Sequence, residues 1–123
     1  MGEKEEKICD AAPKYIFSCS GAADVGHISD LAARQLTRMG AGNMFCLAGI
    51  GGNVESIIEK TKACEKILAI DGCGVDCVKK TLEERGFSEF EHLCITEFME
   101  KGKSPATDER VELIVQKGEK ILA

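Results

Sequence analysis

Four short apolar runs alternate with stretches of helical periodicity, and this alternation constrains the fold of the chain more than any other feature. The runs lie at residues 14–18, 43–48, 67–70 and 91–97. Each is rich in β-branched, aromatic or aliphatic residues and reads as a strand. After the first run, Val25, Ile28, Ala32, Leu36 and Met39 recur at three- and four-residue spacing, the pattern of an amphipathic helix, and Gly40 and Gly42 stop it. Asn53 is placed to cap a second helix whose inner face carries Val54, Ile57, Ile58, Thr61 and Cys64. A third helix is expected from near Cys73 to Arg85, and a fourth, capped by Thr107, carries the stripe Val111, Ile114, Val115, Ile121 and Leu122.

The resulting order is βαβαβαβα. Its near-continuous apolar strands suit a parallel sheet buried on both faces. The expected fold class is therefore α/β, a single-domain, Rossmann-like three-layer sandwich with a four-stranded, mostly parallel sheet. Strand order 2-1-3-4 is expected, because it leaves a topological switch point between strands 1 and 3. A length of 123 residues suits one domain, residues 13–123, preceded by a charged lead-in over residues 1–12.

A net charge of −5, no Trp and 5% aromatic residues argue against a nucleic-acid or anionic-membrane partner. The N-terminus lacks the apolar core of a signal peptide, and Glu6 stands where a myristoylation signal wants Ser or Thr. A cytoplasmic location is the expectation. In that reducing compartment the seven cysteines point to metal ligation, redox chemistry or plain burial before disulfides.

In a parallel α/β sheet every βα turn lies outside the carboxyl ends of the strands, where ligands bind. Cys19 ends strand 1, Cys46 lies near the end of strand 2, and Cys73 and Cys77 follow strand 3. Topology thus carries four thiols toward one edge, with neighbouring strands about 4.8 Å apart. Four soft ligands in a small volume match tetrahedral zinc, while an iron–sulfur cluster is the alternative occupant. If a helix begins near Cys73, the pair Cys73 and Cys77 sits one turn apart on one face.

His27, on the first turn of helix 1, is a possible alternative ligand, although such a residue is more often solvated. Asp71 is read as a helix cap, as a hydrogen-bond partner of groups behind the thiols or as a base, with capping the commonest use of Asp there, and Asp76 as a solvated charge at a helix start. Cys64 and Cys94 fit buried core positions, Cys9 falls in the lead-in, and His92 has no visible partner. The glycines at positions 49, 51 and 52 lack the features of a phosphate-binding loop and read as turn residues. The polar loop at 101–105 follows strand 4 on the thiol-bearing edge.

Three segments in this order resemble one family: Cys19-Ser20-Gly21-Ala22, then Cys46-Leu47-Ala48-Gly49-Ile50-Gly51-Gly52, then Asp71-Gly72-Cys73 with Cys77. They are similar to the DGC-domain family, named for its Asp-Gly-Cys motif, with four characteristic cysteines thought to bind zinc. The resemblance covers residues from about 14 to 97. Gly74 and Val78 differ from the Pro and Ala associated with the motif, and neither would be a ligand. The resemblance implies a metal site at Cys19, Cys46, Cys73 and Cys77.

A site closed by four protein ligands leaves no position for a catalytic water, so a regulatory, carrier or structural zinc protein is expected before an enzyme. The alternative is a thiol–disulfide redox enzyme using Cys73 and Cys77, whose C-x-x-x-C spacing departs from the C-x-x-C of thioredoxin-like motifs. Beyond a metal ion, the sequence names no partner protein.

Overall fold

The computed structural model describes residues 12–123, so Cys9 and the greater part of the charged lead-in lie outside the described residues. Four strands are formed: β1 (Lys14–Ser18), β2 (Asn43–Met44), β3 (Lys66–Asp71) and β4 (Glu91–Cys94). The helices are α1 (Asp24–Arg38), α2 (Leu47–Gly51), α3 (Glu55–Lys62), α4 (Cys77–Glu84) and α5 (Asp108–Leu122). A single 3-10 turn, Ile95–Glu97, follows β4. All pairings are parallel and the strand order is β2-β1-β3-β4. The expected α/β architecture and 2-1-3-4 order are both formed.

Side-chain alternation along the strands divides the core in two. Ile16, Leu68, Ile70 and Leu93 pack under α1 and α5. Phe17, Ile67 and Ala69 point to the opposite face, where Ile50 of α2, Ile58 of α3 and Val78 and Leu82 of α4 cover them. A sheet covered on both faces needs strand interiors that are apolar on both sides, as Ile16 and Phe17 of β1 and Ile67, Leu68, Ala69 and Ile70 of β3 are. Burying each large aliphatic or aromatic side chain contributes roughly 1.5–3 kcal/mol.

The differences from expectation have local causes. β2 ends at Met44, because Cys46 turns the chain and its sulfur accepts the Gly49 N–H, capping the short helix α2. The glycine stretch after Cys46 is thus partly helical. Its last carbonyls are held by Arg85 of α4, which donates to Ile50 and Gly51. Asn53 is not the cap of α3; it takes a left-handed φ of 57° and leaves Val54 at the N-cap. β4 gives way to the 3-10 turn after Cys94. Thr107 caps α5 as expected, accepting from the Arg110 N–H.

Two close contacts set the spacing of the layers. Gly118 of α5 lies against Leu36 of α1, where a Cβ would come within 2.8 Å of a leucine methyl. Gly72, just after β3, lies against the backbone of α1: a Cβ there would be 2.9 Å from the Val25 carbonyl carbon and 3.0 Å from the Gly26 nitrogen. Backbone cannot rotate away as a side chain can, so Gly72→Ala must push α1 off the sheet end. The expected cost is about 1–3 kcal/mol, read as a lower urea midpoint. A midpoint unchanged within error would show that the α1–β3 approach is not tight.

Candidate metal and thiol site

The carboxyl ends of β1 and β3 lie side by side, and the backbone continues their pairing beyond the strands: the Cys19 N–H donates to the Ile70 carbonyl at 3.1 Å. Ser29 of α1 donates its hydroxyl to the same carbonyl at 2.9 Å. Cys19, Cys73 and Cys77 then line one hollow of about 430 Å³, together with Leu47, Val75 and Lys101. Cys46 lines the adjoining hollow, and Ser20 and Leu47 belong to both. His27 is exposed and lines a third hollow with Asp30, which adjoins the thiol hollow through Ser20, Gly21, Ala22 and Gly26. The described thiols are free, and no three of them bring their sulfurs within 4.8 Å of one another.

Cys73 and Cys77 do not share a helical face. α4 begins only at Cys77, and Cys73 belongs to the turn before it. Asp76 closes that turn in a left-handed conformation, φ 59°, which ends any helical path from Cys73. The first N–H groups of α4 are capped from a distance. Asp71, only 1% exposed, accepts from Val78 N at 2.8 Å and from Lys79 N at 3.1 Å. The capping role foreseen for Asp71 is therefore formed, with the carboxylate spanning the whole turn.

The same carboxylate has a third partner. His92 Nε2 lies 2.8 Å from Asp71 Oδ2 and 3.6 Å from Asp76 Oδ1. Since a carboxylate only accepts, the imidazole donates here. His92 is thus partnered, and Asp76 is drawn toward it instead of standing free in solvent. Among the described residues this Asp–Asp–His group is the one whose ligand atoms all lie within 4.8 Å of one another. Sequence reasoning missed it because its members come from β3, the α4 turn and β4, and the β3–β4 register that aligns them is a tertiary fact.

Donors converge on the sulfurs. Cys19 Sγ accepts from Gly72 N at 3.1 Å, Cys46 Sγ from Gly49 N at 3.3 Å, and Lys101 Nζ lies 3.6 Å from Cys73 Sγ. Burial nevertheless pushes the Cys19 thiol up, opposed by the Gly72 N–H and reinforced by negative charge at Asp71 and Cys77. Lys101 is carried in by a loop that Asp24 straps down. Asp24 accepts from Gly102 N at 3.0 Å, Ser104 N at 2.8 Å and Val25 N at 2.7 Å. The Gly102 and Ser104 N–H groups hold the Asp24 carboxyl below its ordinary range.

Comparison with known proteins follows the same residues. The profile of the DGC domain matches residues 15–117. The chain belongs to the DGC-domain family. The anaerobic and virulence modulator AnvM of Pseudomonas aeruginosa is 33% identical over 92 residues, which cover 75% of this chain and 70% of that protein. No solved structure matches significantly. Within the DGC domain, the naming motif has a physical reading at each position. Asp71 caps α4, Gly72 lets α1 approach, and Cys73 faces the shared hollow. No helix among the described residues is long and apolar enough to cross a membrane.

Two outcomes follow. Asp71→Ala leaves two helix-start N–H groups and His92 without their acceptor, at an expected cost of about 2–4 kcal/mol, read by chemical denaturation. A loss below about 0.5 kcal/mol would mean that water replaces the carboxylate freely. For Asp24 the folded pKa is depressed, so its contribution is complete at neutral pH. It fades as the pH falls through the ordinary carboxyl range, about pH 4, and is gone below the depressed value. Amide exchange at Gly102 and Ser104, corrected for intrinsic rates, is expected to accelerate in Asp24→Asn at pH 7. The wild-type loop is expected to follow only under strong acid.

Proposed function

We propose that this DGC-domain protein is a small cytoplasmic metal-binding protein with a regulatory role, and that the metal is zinc held by Cys19, Cys46, Cys73 and Cys77. The observation that carries the reading is the set of donors aimed at the sulfurs, from Gly72 N, Gly49 N and Lys101 Nζ. Hydrogen-bond donors to a ligating sulfur are the outer-shell partners that orient metal-bound ligands. Four thiolates around one dication leave a net charge of −2, which the Lys101 ammonium partly offsets. Three of the cysteines line one hollow and the fourth adjoins it, with no three sulfurs within 4.8 Å of one another, so the loops must close for all four thiols, the donor type of a soft cation, to share it.

When bound, zinc would supply a closed, redox-silent cross-link between the ends of β1 and β3 and the α2 cap. The chain's own groups do the remainder. Asp71 and His92 fix the turn that presents Cys73 and Cys77, and Asp24 keeps Lys101 over the hollow. The regulatory assignment rests on likeness to AnvM, which is named a modulator. A direct role on nucleic acid or membrane is not part of the proposal, given the net charge of −5.

Metal analysis of the reduced protein, purified without chelator, is expected to find about one zinc per chain. Cys73→Ser with Cys77→Ser should abolish it, while Cys64→Ser should not. A chain that carries no zinc and binds none when reduced would overturn the proposal, and visible charge-transfer bands in an anaerobic preparation would replace zinc with an iron–sulfur cluster.

A further inference from the structure

The hollow beside Cys46 holds a polar group that neither the fold nor the thiols use. Ser18 ends β1, is 5% exposed, and lines this hollow of about 610 Å³. Its Oγ is buried and has no hydrogen-bond partner, alone among the buried side-chain nitrogen and oxygen atoms of the described residues. Buried hydroxyls are nearly always satisfied, and one left open at the carboxyl end of a central parallel strand lies where α/β folds bind ligands.

The hollow offers a second recognition element. Arg34 of α1 donates through Nε to Asp30 Oδ2 at 2.8 Å, which orients the guanidinium. Asp30 is further occupied by the Ser20 hydroxyl at 3.1 Å. The two Nη groups of Arg34 have no hydrogen-bond acceptor among the described residues, and they form the planar fork that a carboxylate matches bidentately. The same hollow is lined by the apolar residues Met44, Phe45 and Leu47. Phe45 is stiffened by stacking on Tyr15, ring centroids 4.1 Å apart. The volume lies within the usual range for small-ligand sites, roughly 300–1,000 Å³.

We propose that this hollow binds a small organic acid, its carboxylate held by the Arg34 fork and a hydroxyl or oxo oxygen hydrogen-bonded to Ser18 Oγ. The apolar wall receives the carbon chain between them. The site stands whether or not the thiols hold a metal, because none of its polar contacts uses a sulfur.

The test is an amide NMR titration of the reduced full chain with straight-chain ω-hydroxy carboxylates of about three to six carbons, against the unsubstituted alkanoates of equal length. At least one hydroxy acid should give saturable shifts at Ser18, Phe45 and Leu47, and bind about fivefold or more tighter than its alkanoate. Ser18→Ala should erase that preference while leaving alkanoate binding in place, and Arg34→Gln should weaken both by about tenfold. Ser18→Ala removes an unpaired hydroxyl, so its unliganded stability should be equal to or above wild type, which separates lost recognition from lost folding. No saturable shift up to about 20 mM, or binding indifferent to both substitutions, would overturn the proposal and leave Ser18 a hydroxyl satisfied by water alone.

Discussion

A buried carboxylate at the end of β3 ties together more of this protein than its size suggests. Taking Asp71 out of water is costly unless its oxygens are fully engaged. Here three donors engage them, from Val78, Lys79 and His92. The strand's end, the start of α4 and the start of β4 are therefore fixed by one group. The turn between Asp71 and Cys77 is free to take a shape that no helix could supply, with Asp76 in a left-handed conformation. That shape is what separates Cys73 from Cys77 along the chain while both line the same hollow.

The second fixed point is the contact between α1 and the sheet. Gly72 admits the α1 backbone, Ser29 donates to the Ile70 carbonyl near the end of β3, and Asp24 at the head of α1 holds the loop bearing Lys101. One helix start thus controls both the depth of the thiol hollow and its cationic cover. The arrangement explains why a loop far along the sequence reaches Cys73.

Much of this was legible in the residues. The alternation of apolar runs with amphipathic stretches gives the parallel sheet, its two helical layers and the strand order, since a doubly covered sheet leaves few ways to bury four such strands. The convergence of Cys19, Cys73 and Cys77 was legible too, because βα turns share an edge. The limits lay where local signals compete. Asn53 looks like a cap yet yields to Val54, and Cys46 looks like a strand residue yet caps α2 through its sulfur. The partners of His92 depend on the pairing Ala69–His92 and Asp71–Cys94, which no local pattern encodes. The unpaired hydroxyl of Ser18 depends on which donors and acceptors fail to reach it, which sequence cannot express.

The position of Cys46 bears on how any metal would act on the fold. It follows β2, an edge strand of two residues whose register with β1 is only Tyr15–Asn43 and Ile16–Met44. One more backbone bond, from Phe45 N to the Ile16 carbonyl at 2.8 Å, the Met44 N–H bond to the Thr37 hydroxyl at 2.8 Å and the Tyr15–Phe45 stack add to its attachment. The other three cysteines sit on elements anchored by Asp71 and by the longer β1–β3 pairing. A cation that recruited Cys46 would join the least paired strand to the most firmly held part of the sheet. Binding free energy would then appear as order at that edge, because a ligand stabilises whichever state it prefers.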